Sequence, residues 1–126
     1  MMNKLELIIA QKKMEVTQLY KDISNEPTHA VAKILRGEFH AEKEYLFKRS
    51  LQSSSLAVIA EIKRKSPSKG RLALIEDAAH LAQRYLLGGA SALSILTDKT
   101  FFDGEIEDIV QVRKYMNNPS IPIIRK

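Results

Sequence analysis

The chain has 126 residues, of which 44% are apolar and 28% charged, and carries a formal net charge of +5. That length holds one domain with a real core, and the composition lies far from that of a disordered chain. The lack of cysteine excludes disulfides, thiolate catalysis and cysteine-ligated metals, while the positive balance favours an anionic partner without choosing among nucleic acid, phosphorylated metabolites and membranes.

At the N-terminus a short apolar patch, Leu5 to Ala10, runs straight into charge. This is neither a signal peptide nor a spanning helix, so a cytoplasmic protein with no membrane contact is expected. Leu5, Ile8, Ile9, Val16, Leu19, Tyr20 and Ile23 fall close to the helical repeat and predict an amphipathic helix from Lys4 to Ile23. Asn25-Glu26-Pro27-Thr28 breaks it, and Thr28 is a candidate cap for a second helix running to Leu35, ahead of Gly37. A third helix is expected over Ala41 to Leu51, before the polar run from Gln52 to Ser55. Residues 1–55 therefore read as a helical extension.

Beyond Ser55 the pattern changes to saturated apolar runs, Leu56 to Ile62, Ala90 to Leu96 and Ile121 to Ile124. Continuous rather than alternating apolar strands belong to parallel sheets covered on both faces. The segments between them, Ile75 to Leu87 and Glu105 to Met116, have helical periodicity, and Gly88-Gly89 and Asn117-Asn118-Pro119 stop them. The order βαβαβ is that of crossover units, at the start of either a doubly wound sheet or a (β/α)₈ barrel.

Two features favour the barrel. The long basic turn after the first strand carries neither nucleotide-binding glycine fingerprint, and long loops inside a compact βα unit are usually functional. Polar residues also gather where strands end: Glu61 and Lys63, then Thr97 and Asp98, then Arg125 and Lys126. Reactive groups at strand C-termini are the layout of barrel enzymes.

Strand alternation puts Ile59, Glu61 and Lys63 on one face and Val58, Ala60 and Ile62 on the other. The apolar face suits packing against helices, and the charged one looks into the barrel mouth. A carboxylate and an ammonium there lose part of their hydration, which is costly unless they pair or meet a charged ligand. By spacing alone they serve equally well as an ion pair closing the strand end. Lys63, Arg64, Lys65, Lys69 and Arg71 serve equally well as a solvated charged turn. His29, His40 and His80 have no metal-ligand spacing and read as surface or capping groups. Phe101-Phe102 reads more readily as core than as a ligand shelf.

Taken together, the string IAEIKRKSPSKG resembles the signature of the indole-3-glycerol phosphate synthase family, in which a Glu-x-Lys strand end runs into Ser-Pro-Ser. GGASALSILTDKTFFDG resembles that family's second strand and its loop, and IPIIRK its third strand, ending at the catalytic lysine. LIIAQKKMEV resembles the family's helical segment before the barrel. The resemblance implies an α/β fold: residues 56–126 form the first two and a half βα units of a (β/α)₈ TIM barrel, preceded by the helical extension.

It also implies a carboxy-lyase of tryptophan biosynthesis, which closes the indole ring of 1-(2-carboxyphenylamino)-1-deoxyribulose 5-phosphate and loses CO₂ and water. Lys126 matches the family's general acid, Lys63 the lysine that pairs with the substrate carboxylate, and Glu61 the acid that holds these lysines in position. Ser66 and Pro67 match the mobile loop over the site, and Phe102 an apolar wall for the anthranilate ring. The small-molecule substrate is phosphorylated, and no metal or organic cofactor is required.

A complete barrel needs further βα units. The isolated 126-mer is therefore expected to be catalytically incompetent, as a truncated gene product or half of a split enzyme. Self-association, or a complementing C-terminal half, is expected at its open edges. Two other readings compete. A nucleic-acid-binding module built on Lys63 to Arg71 has no interleaved aromatics and no recognition motif to support it. Another phosphosugar barrel enzyme, such as phosphoribosylanthranilate isomerase, lacks the EIKRKSPS string.

Overall fold

The computed structural model describes residues 1–38, 46–53 and 55–126. Two compact units divide the chain, Met1–Glu44 and Tyr45–Lys126.

The first unit contains helices α1 (Lys4–Asn25) and α2 (Ala30–Leu35). A reciprocal cap opens α1: the Asn3 side chain accepts from the Glu6 amide at 2.9 Å, and the Glu6 carboxylate accepts from the Asn3 amide at 2.7 Å. Helix α2 is capped by His29 rather than by Thr28, the cap expected from sequence. The His29 Nδ1 accepts from the Val31 amide at 3.2 Å, while the Thr28 hydroxyl turns to the Glu26 carboxylate at 3.3 Å. His40, and the expected helical start at Ala41, lie outside the described residues.

The second unit holds α3 (Leu46–Gln52), β1 (Ile59–Ile62), β2 (Lys65–Ser66), β3 (Gly70–Arg71), α4 (Ala78–Leu87), β4 (Ala92–Ile95), α5 (Lys99–Phe102), α6 (Ile106–Tyr115) and β5 (Ile123–Arg125). Strands β1, β4 and β5 form a parallel sheet with β4 in the middle. The register aligns Glu61 with Ser94 and Ile124, and Ile62 with Ile95 and Arg125. Helices α4 and α6 are the crossovers between these strands, as the βαβαβ order requires.

One face of the sheet is dry. Ile62, 1% exposed, together with Leu93 and Ile95 meets Ala78, Ala79 and Ala82 of α4 and Val112 of α6. Three alanines at the start and middle of α4 let that helix lie close to the strands. Full burial of each large side chain in this layer stabilises the fold by roughly 1.5–3 kcal/mol.

The run Ala90 to Leu96 is not one of the open edges, since it holds the central strand. Ala92 through Leu96 are buried throughout, because β1 and β5 flank β4 on both sides and α3 contacts it. Exposed apolar surface sits on the edge strands instead, where Ile59 and Ile124 are each 46% exposed. Val58 precedes β1 and is exposed as well, so of its expected face only Ala60 and Ile62 pack toward the helices. Among the described residues no helix is long and apolar enough to cross a membrane.

Candidate active site

The face of the sheet opposite the helices carries the charge. The Glu61 carboxylate, near the end of β1, bridges two ammonium groups: one oxygen lies 2.9 Å from Lys63 Nζ and the other 2.9 Å from Lys126 Nζ. The two lysines stand just past the ends of β1 and β5, with β4 between those strands. In the register the residue of β4 beside Glu61 is Ser94, and this small side chain leaves room for the contact across the central strand. Lys126 is fixed at its backbone, donating to the Ile95 carbonyl at 3.0 Å and accepting from the Thr97 amide at 2.8 Å.

The two cations hold the Glu61 carboxyl below the ordinary glutamate range. The Lys126 hydrogen bond contributes most and the Lys63 bond next, against a smaller opposing effect of burial. The carboxylate therefore stays ionised and both lysines stay gathered. Each ammonium has three donors and gives one to Glu61, so the remaining donors are free to meet an anion or a carbonyl oxygen. A groove of about 500 Å³ leads away from Glu61 and Lys63 between Ala73–Asp77 and helix α4.

The long basic turn after β1 folds as a small hairpin. Lys65 pairs with Arg71 and Ser66 with Gly70, leaving Pro67, Ser68 and Lys69 as a three-residue connection. Gly70, the first residue of β3, takes φ +68°, a left-handed conformation that glycine adopts at no steric cost. The Ser66 hydroxyl accepts from the Lys69 amide at 3.2 Å, so this predicted site residue closes the turn. Pro67 follows it, half-buried.

Phe102 lies in α5, half-buried, and α5 packs against β2 of the hairpin. Asp98 caps α5 by accepting from the Phe101 amide at 2.7 Å. The structure thus brings Glu61, Lys63 and Lys126 into contact, and places Ser66, Pro67 and Phe102 on the hairpin and the short helix beside it. Among the described residues no hydrogen bond joins these last three to the Glu61 cluster.

Three of the five cations in the basic run are committed to carboxylates. Lys63 meets Glu61, Arg71 meets Asp103 at 3.3 Å, and Arg64 forms a bidentate pair with Asp108 at 2.6 and 2.9 Å. The Arg64–Asp108 pair is the main correction to the reading of this run as a solvated turn: the two side chains are only 14% and 8% exposed. Arg64 was hard to single out because its partner stands 44 positions away on α6. Gly104 also went unremarked. A Cβ there would lie 1.9 Å from the Leu96 carbonyl oxygen, so the chain leaving α5 can pass the end of β4 only as glycine.

Comparison of the sequence with known proteins shows the family. The sequence model of the indole-3-glycerol phosphate synthase family matches residues 5–126. A relative named indole-3-glycerol phosphate synthase from Exiguobacterium sibiricum is 41% identical over 94% of this chain and 42% of its own length. One of the same name from Bacteroides thetaiotaomicron is 40% identical over 97% of the chain and 44% of its own length. A third, from Mycolicibacterium gilvum, is 48% identical over 61% of the chain and 27% of its own length. The chain spans less than half the length of these curated relatives.

Proposed function

Because the chain belongs to the indole-3-glycerol phosphate synthase family, we propose that its 126 residues carry the acid–base part of a site that closes and decarboxylates 1-(2-carboxyphenylamino)-1-deoxyribulose 5-phosphate. The single observation behind this is the Glu61 carboxylate held between two lysines at the end of a parallel sheet. The reaction forms a bond from the carboxyl-bearing ring carbon to the ketone carbon. As that bond forms, negative charge builds on the ketone oxygen and a proton must arrive there. Lys126 supplies it as general acid. Lys63 holds the substrate carboxylate until it leaves as CO₂, and orients the ring for attack. Glu61 keeps both ammonium groups charged and in place. Ser66 and Pro67 border the site on the hairpin, and Phe102 gives the aromatic ring an apolar wall. In this reading residues 56–126 are the first two and a half βα units of a TIM barrel in the cytoplasm, residues 1–55 precede them, and further units complete the site.

Positioning the phosphate is a large part of the rate, and the cluster alone does not supply it. The 126-residue chain by itself is therefore expected to turn over no substrate, alone or as a self-associated species; a complementing C-terminal half at its open edges would restore the missing groups. A fusion of residues 1–126 to the C-terminal remainder of the Exiguobacterium sibiricum relative tests the reading. Such a fusion should form the indole product, and Lys126→Met should abolish most of that turnover. A folded fusion that makes no product, or whose rate ignores Lys126→Met, would sink the reading.

A further inference from the structure

Lys63 is held in place by less than its position suggests. The sheet ladder stops just before it, with the Leu96 amide donating to the Ile62 carbonyl at 3.2 Å, and among the described residues its side chain is anchored only by Glu61. The next residue is anchored on every side. The Arg64 guanidinium forks onto Asp108 at 2.6 and 2.9 Å, and its Nε donates to the Ile75 carbonyl at 2.9 Å. The Arg64 carbonyl accepts from the Leu72 amide at 2.8 Å and the Ala73 amide at 3.3 Å. Asp108 is itself fixed, accepting from the Glu105 amide at 3.2 Å at the start of α6. One residue therefore ties the base of the hairpin, the approach to α4 and the N-terminus of α6 together.

Arg64 stands in the bend between β1 and β2, its guanidinium on Asp108 of α6 and the Ile75 carbonyl, while the Lys63 ammonium beside it meets Glu61. Fixing Arg64 at these contacts therefore fixes the backbone at the residue before it, from which the Lys63 side chain leaves. We infer that Arg64, clamped by Asp108, is a positioning residue that aims Lys63 at Glu61 and thereby sets the geometry of the charged cluster. A lysine in its place would keep the charge but lose the fork and the third bond to Ile75. The catalytic meaning of the clamp rests on the function proposed above; its structural effect does not.

The test uses the 126-residue chain as Arg64→Lys, with Arg64→Met as a harsher variant and Val112→Ala as a control that weakens the core one turn along α6 from Asp108 while leaving the guanidinium fork itself intact. Amide exchange at Leu72 and Ala73 reports on the hairpin base. The ¹³C titration of the Glu61 carboxyl, which faces Lys63 on its own chain segment and Lys126 just past β5, reports on the lysines. In Arg64→Lys the two amides should exchange about ten- to a hundredfold faster, the size expected for losing part of a charge-assisted hydrogen-bond set. The Glu61 midpoint should rise toward the ordinary carboxylate value, and rise further in Arg64→Met, while Val112→Ala leaves it in place. An unmoved Glu61 midpoint in Arg64→Lys overturns the inference, whatever the amides do. No substrate enters this measurement, so an inactive fusion and an idle clamp are told apart.

Discussion

Lys63 and Arg64 are neighbours in sequence, yet their charges are spent in opposite ways. Arg64 turns to the helix side and meets Asp108 where both are nearly buried and three of its five guanidinium donors are met within the fold. Lys63 turns to the other side and shares Glu61 with Lys126, in a cluster that remains open to solvent and keeps spare donors. A buried pair is severe to break, because its survivor is left charged and dry. An open pair costs little to break, because water replaces the partner. The difference assigns stability to one side of the sheet and chemistry to the other.

The sharpest way to break that contrast is to exchange the costs. In the fusion described above, Lys126→Met should lower kcat by about 10²–10⁴-fold, the range for loss of a general acid. The same change in the 126-residue chain should shift unfolding in urea by less than about 1 kcal/mol. Asp108→Ala should do the reverse to stability, costing about 3–5 kcal/mol through the unpaired Arg64. Equal stability losses in the two variants would erase the distinction.

Within the apolar layer the same contrast is expected between faces of one strand. Ile62→Ala should cost about 2–5 kcal/mol, as a fully buried side chain leaves a cavity against α4. Ile59→Ala, at a half-exposed position on the charged face, should stay within about 1 kcal/mol. Chemical denaturation of the two variants side by side reads this directly.

The smallest expected effect is in the pH dependence. Glu61 is held below its ordinary range by Lys126 and then Lys63, so its folded form binds a proton less readily than its unfolded form. Its contribution is complete above the unfolded-state value and is lost as pH falls through the folded one. Asp77, held low by the amides of His80 and Ala79, adds to the same slope. Replacing Lys126 removes the main cause at Glu61 and leaves Asp77 alone. Urea unfolding followed from neutral to acid pH should therefore show a shallower fall for Lys126→Met than for the wild type.

The sheet could be read from the sequence because continuous apolar runs ending in polar residues have few other uses. Helices α4 and α6 could be read because their periodicity is bounded by glycine and by Asn-Asn-Pro. Strand alternation alone puts Glu61 and Lys63 on one face, and leaves open whether they pair or meet a charged ligand. Lys126 joined it through a motif resemblance, since nothing local says that a residue 65 positions on will cross the central strand to the same carboxylate. The hairpin went unread because two-residue strands carry no apolar pattern, leaving only Gly70 as a signal. Arg64 went unread for a related reason: whether a charge in a basic run is buried depends on a distant partner, here an aspartate that also caps its own helix. Helix α5 is a single turn, too short for periodicity to mark.

The ¹³C titration of Glu61 in the wild-type chain and in Lys126→Met tests the central geometry most directly. The wild-type midpoint should lie below that of an ordinary glutamate, and it should climb when Lys126 is replaced. A wild-type midpoint at the ordinary value, indifferent to the loss of Lys126, would contradict the account.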